Sequence, residues 1–309
     1  MLITRELATD PAALSAAADD FGHLIHRTPR YVLKPASAAD ISAAVAWAAS
    51  QHLKVAARGQ GHSNYGRPMV QGGVVIDMST LNTIHSIARD RMVVDAGAKW
   101  SAVIDAAVAR GLTPPVLTTF IELSVGGTLS AGGIGGMSHL YGMQTDNVLE
   151  LNVVVAGGRE LTCSATQNAD LFNAVRAGLG QAGIITRATL QLIPAPARVR
   201  RYQLFYPGQA TLTADQRKVL REHRFQHLQG GLFRTDRAAG SSSSRAASST
   251  ADPRRTTART TTRCSPVCRT PALPWSSSTW RTRNTSTRSL RRKACSAETA
   301  SGSIRTRGG

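Results

Sequence analysis

Apolar positions along the chain recur at two spacings. Tyr31-Val32-Leu33, Lys54–Ala57, Gly73–Met78, Arg91–Ala96 and Ile184–Ile193 are short apolar runs, and they read as strands. The Lys54–Ala57 run is expected to be buried, and Pro194 and Pro196 stop the last strand. Between the runs the period changes. Ile41, Val45, Ala48 and Ala49 fall on one helical face behind a start signal, Ser37-Ala38-Ala39-Asp40. Trp100, Val103, Ile104, Ala107 and Val108 make a second such face, closed by Gly111 at the C-cap. Val148–Val155 turns at Ala156-Gly157-Gly158 and returns as Glu160–Cys163, a hairpin. Asn168 opens a further helix with Leu171, Phe172 and Val175 inward. Residues 1–20 make at most a loose helix, and Thr113–Leu117 is loop. The pattern predicts alternating strands and helices grouped as βα units.

Glycine interrupts this pattern in three places. After Lys54–Ala57 the chain breaks into Arg58-Gly59-Gln60-Gly61-His62-Ser63. Two glycines one residue apart let the backbone approach something bulky, and both can take φ > 0. Converging amides in such a loop can cradle phosphates, and His62 stands beside them. By itself the loop equally suits an ordinary turn with a surface histidine. A dinucleotide fingerprint of the Rossmann kind is excluded, because that loop must open a helix and Pro68 follows too soon. The second place is Leu123–Gly136, with six glycines between Gly126 and Gly136. That is too many for a free-standing helix. Val125, Leu129 and Ile134 nevertheless keep near-helical spacing, which points to packing against another backbone or a flat ligand. The third is Gly178-Leu179-Gly180-Gln181-Ala182-Gly183.

Composition changes the picture at the C-terminal end. The net charge of +18 suggests a nucleic-acid binder, but it is unevenly distributed. From Arg234 onward there are 15 Arg and 1 Lys against 3 acidic residues. The same stretch holds 15 Ser and 14 Thr and shows no strand or helix period. Such a composition buries too little apolar surface to offset chain entropy, so residues 233–309 are expected to be a largely disordered, low-complexity tail. Its near absence of Lys and acid resembles a GC-rich gene read out of frame. Cys264, Cys268 and Cys295 lie there without a matching ligand set, so no metal site is expected, and Cys163 is expected to pack as a small apolar residue. The first residues lack an apolar leader segment, and no run approaches the length of a membrane span. The expectation is a cytoplasmic protein with neither a nucleic-acid nor a membrane partner and an open oligomeric state.

Taken in order, the three glycine-marked blocks, the last of them led by Asn168-Ala169-Asp170-Leu171-Phe172, resemble the FAD-binding domain of the vanillyl-alcohol oxidase (PCMH) type, closest to cytokinin dehydrogenases. The resemblance covers about residues 20–230. It implies an α+β fold of two α/β subdomains with FAD between them. The implied order is an N-terminal extension (1–20), the FAD-binding domain (21–200), and the start of a truncated substrate domain (201–232) before the tail. His62 matches the histidine that bonds covalently to the flavin. Gly59, Gln60, Gly61 and Ser63 match pyrophosphate-loop positions, and Arg67, Ser124, Ser130, Ile134 and Ile185 match further cofactor contacts. The implied reaction takes hydride from the CH–NH group of a small-molecule amine, with an aspartate accepting the amine proton; the imine then hydrolyses. Here the sequence departs from the pattern. The aspartate position is Thr119, followed by Phe120 in place of the usual tyrosine, and Glu122 is the nearest carboxylate. Asp146 matches a loop position that caps a turn. The alternative is a truncated chain that holds flavin without turning over.

Overall fold

The computed structural model describes residues 5–234, 244–252 and 279–281. It begins with α1 (Pro11–Ala17), β1 (Tyr31–Leu33), α2 (Ala38–Ser50), β2 (Val55–Arg58) and β3 (Val74–Asp77). The start signal for α2 is a full capping box. Ser37 Oγ accepts from the Asp40 amide at 3.3 Å, and the Asp40 carboxylate accepts from the Ser37 amide at 3.0 Å. The three strands form a parallel sheet in the order β1-β3-β2. β2 is therefore an edge strand, and it is only half-buried rather than buried as its apolar sequence suggests. Its free edge is available to form the wall of a cleft.

The second unit departs from the βα reading. β4 (Ile84–Ile87) and β5 (Arg91–Asp95) precede α3 (Trp100–Val108), β6 (Leu112–Thr113), α4 (Val125–Ala131), α5 (Ser138–Tyr141), β7 (Val148–Val154), β8 (Glu160–Ser164), α6 (Ala169–Val175) and β9 (Ile184–Gln191). Five of these strands make an antiparallel sheet, β4-β5-β9-β7-β8. Hairpins explain it: β4–β5 and β7–β8 are joined by turns too short for a parallel crossover. β4 escapes the sequence pattern because its middle residues, His85 and Ser86, are exposed and polar. Thr113, expected at the start of a loop, is instead in β6, which pairs with β10 (Ile193–Pro194). Pro194 joins that ladder instead of ending it, since a two-stranded edge does not need its missing N–H.

The two sheets share one hydrophobic core. Leu33 and Ile76 of the first, with Ile41 of α2, pack in the same cluster as Met92 and Leu151 of the second, with Trp100 of α3 and Leu129 of α4. Trp100 is 2% exposed, and its indole N–H donates to Thr128 Oγ1 at 2.7 Å, so the buried donor is satisfied. The glycine-rich 125–131 segment is a helix because it is packed, not free. Gly126 lies so close to β5 that an added Cβ would stand 2.7 Å from Ala96 Cβ.

Beyond β10 come β11 (Arg198–Tyr206), α7 (Gln209–Arg221), β12 (His227–Arg234), β13 (Ser244–Asp252) and β14 (Thr279–Arg281), with the strands paired antiparallel as β12-β13-β11-β14. Two short pieces of the tail thus have backbone pairing. The remaining tail residues, with Cys264, Cys268 and Cys295, lie outside the described residues. Among the described residues no helix is long and apolar enough to cross a membrane.

Candidate functional site

A cleft of about 300 Å³ opens between the two sheets. Its walls are β2, the Gly59–Ser63 loop, one side of α4, and the Leu179–Ile185 approach to β9. A second cleft of about 610 Å³ shares Val55, Ala56, Arg67 and Gln181 with it and adds Arg27, Lys54 and Tyr65. Together they make an elongated groove in the size range of ligand sites.

The loop that forms one wall is held in an unusual backbone path. Gly61 has φ +64, a left-handed conformation that disfavours other residues. A Cβ on Gly59 would stand 2.1 Å from Ser124 Oγ, so the loop backbone lies directly against the start of α4. Among the described residues, the amides of Gln60, Gly61, His62 and Ser63 donate to no protein acceptor. Four successive N–H groups at one cleft are therefore available to an anionic group. The α4 N-terminus is not equivalent, because its Val125 and Gly126 amides are taken by the carbonyls of Ala98 and Ala96 at 2.8 and 2.7 Å.

Positive charge backs the loop. Arg58 lies under Gly61, and its Nη1 is buried without a hydrogen-bond partner. Burial lowers its pKa, opposed by the carboxylates of Asp77, Asp20 and Asp19. Asp20 fixes the far side. It is buried, and its carboxylate accepts from Ser63 Oγ and, at 2.8 Å, from the Gly66 amide. Burial pushes this carboxyl up, but the bonds from Ser63, Gly66 and Gly22 and the charge of Arg58 outweigh it, leaving its pKa below the ordinary value.

His62 is flanked by aromatic rings. Its ring centroid lies 4.0 Å from Phe21 and 4.8 Å from Phe120, tilted 31° and 24°.

Of the residues singled out from the sequence, Gly59, Gln60, Gly61, His62, Ser63, Arg67, Ser124, Ser130 and Ile185 all line the one cleft. Ile134 does not; it is 71% exposed. Gly132 and Gly133 both have positive φ and turn the chain away after α4. Thr119 is exposed. Glu122 is half-exposed and ion-paired with Lys99 at 3.3 Å. Asp146 accepts from the Met143 amide at 2.7 Å and closes a turn. Cys163 is buried.

Sequence reasoning missed Asp20 and Phe21. They lie about forty positions before the loop they touch, at the boundary between the expected extension (1–20) and the expected FAD-binding domain (21–200). Met78, Ala96 and Thr128 also line the cleft without any sequence signal, since each is an ordinary residue of its own element.

The groove has what an elongated dinucleotide requires: free amides and buried positive charge for phosphates, and apolar walls from Val55, Ala56, Met78 and Ile185 for rings. Comparison with known proteins agrees. The FAD binding domain family matches residues 29–164. An uncharacterized oxidoreductase of the fasciation locus of Rhodococcoides fascians is 45% identical over 224 residues, covering 72% of this chain and 51% of that protein. Cytokinin dehydrogenase 10 of Oryza sativa subsp. japonica is 44% identical over 229 residues (71% and 42%), and cytokinin dehydrogenase 2 of Arabidopsis thaliana 40% over 234 (74% and 46%). The chain spans about half the length of these relatives. Residues 29–164 are thus an FAD binding domain, in a chain similar to an oxidoreductase and to cytokinin dehydrogenases over about half of their length.

Proposed function

We propose that the chain holds FAD along this groove, covalently through His62, and oxidises the CH–NH group of a small amine of the cytokinin class. One observation carries the binding part: nine cofactor-type positions line one cleft, and four amides of its loop donate to no protein acceptor among the described residues. The amides of Gln60–Ser63 receive the pyrophosphate, with Arg58 behind them and Arg67 at the junction of the two clefts. Ser124 offers a hydroxyl just before α4, Ser130 lines the cleft with its hydroxyl donating to the Gly126 carbonyl at 2.8 Å, and Ile185 gives an apolar wall. His62 would hold the flavin through an imidazole nitrogen, the covalent tether that the resemblance implies. When bound, the flavin supplies a hydride acceptor for the carbon next to nitrogen.

A second reading is a chain that holds flavin without turnover. Among the described residues, no carboxylate lines either cleft. Thr119 cannot accept a proton at neutral pH, and Glu122 is engaged by Lys99. The purified full chain decides between them. Flavin absorption that survives acid precipitation is expected, followed by anaerobic bleaching with isopentenyladenine. Acid-stable flavin without bleaching leaves the second reading standing. Absence of any bound flavin refutes both.

A further inference from the structure

We infer that Phe21 is a positioning residue for His62. It sets the plane of the imidazole through a brace formed by Asp20-Phe21-Gly22; its bearing on cofactor attachment rests on the reading above.

The brace is a short backbone ladder with its anchor at one end. The Phe21 amide donates to the Gly61 carbonyl at 2.9 Å, and the Gly22 amide donates to the Ser63 carbonyl at 2.9 Å. These two bonds bracket His62. The approach is close: a Cβ on Gly22 would stand 2.5 Å from Asn64 Cα. Asp20 holds Ser63 and Gly66 from the same side. The ladder leaves the Phe21 ring facing the imidazole, and Phe120 faces it as well. Two rings this near, one tilted 31° and the other 24° from the imidazole plane, would collide on one face, so we place them on opposite faces. The imidazole is thereby restricted to a narrow range of planes, and its edge is what it offers to the cleft.

The placement is not that of a core residue. Phe21 is 61% exposed and belongs to no core cluster. Its ring pairs with that of His62. A plane-setting role requires a flat ring, whereas a space-filling role requires only volume. Aromatic and aliphatic replacements therefore separate the two.

The test uses the full chain and compares Phe21→Leu with Phe21→Trp. In the flavin-free protein, the His62 ring-proton NMR signals, assigned with His62→Gln, should be displaced by the neighbouring rings. Phe21→Leu should lose the larger part of that displacement and Phe21→Trp should keep it. In the flavin-loaded protein, Phe21→Leu should keep total bound flavin but show roughly tenfold slower formation of acid-stable flavin, within the range a small misplacement costs; Phe21→Trp should rescue it. Unchanged signals and unchanged tethering in Phe21→Leu would overturn the inference. If the wild type forms no acid-stable flavin, the tether proposal fails, and the flavin-free spectra still decide the role of Phe21. If Phe21→Leu does not fold, the wild-type spectrum decides: undisplaced His62 signals refute the contact.

Discussion

Asp20 offers the sharpest test of how the loop is held. Asp20→Ala removes the acceptor for the buried Gly66 amide and the Ser63 hydroxyl, both more than forty residues away in sequence. A hydrogen bond to a charged group contributes about 1.5–3 kcal/mol, and a stranded buried donor costs its full desolvation. The two bonds share one carboxylate, and a loosened loop admits water, so they are not additive. The expected loss is about 2–4 kcal/mol. Asp20→Asn keeps an acceptor oxygen without the charge and should lose roughly half as much. The pH dependence has a definite sign. The folded pKa of Asp20 lies below its ordinary value of 3.8, so its contribution is complete above that value. It is lost as pH falls through the lower, folded pKa. The stability gap between wild type and Asp20→Asn should therefore be flat above about pH 5 and narrow below about pH 4. Urea denaturation across pH measures the gap, and hydrogen exchange at the Gly66 amide localises it. An Asp20→Ala chain within about 0.5 kcal/mol of wild type, with Gly66 exchange unchanged, would refute the argument.

Other consequences are as direct. Gly59→Ala puts a Cβ 2.1 Å from Ser124 Oγ, so it should lose about 1–3 kcal/mol by overpacking; adding Ser124→Ala should restore part of it, and strict additivity in denaturation would contradict the contact. Burial, helped by Glu150 and opposed by Arg176, raises the pKa of the Cys163 thiol. Peptide-mapped alkylation of Cys163 should thus run at least on the order of tenfold slower in the native chain than in urea. Glu122→Gln breaks an exposed ion pair and should change stability by less than about 1 kcal/mol. A much larger loss on thermal unfolding would mean that Glu122 has partners besides Lys99.

The sequence by itself determined the elements whose signals are local. The Ser37 capping box, the helical faces at Ile41 and Trp100 and the hairpin through Gly157 need only neighbours a few positions apart. It also marked the loop at Gly59–His62, because glycine spacing reports a backbone constraint wherever it occurs. Long-range choices stayed hidden. Antiparallel pairing of the second sheet depends on which strands meet, and an apolar strand of one sheet looks like an apolar strand of the other. Tertiary structure alone brought Asp20 and Phe21 to the loop, because a buried carboxylate accepting bonds from residues 43 and 46 positions away has no period to read. It also removed Ile134 from the cleft. Two positive-φ glycines redirect a chain that helical spacing would have carried inward. Local chemistry names the candidate residues; which of them share a cleft depends on free energy gained only when distant segments pack.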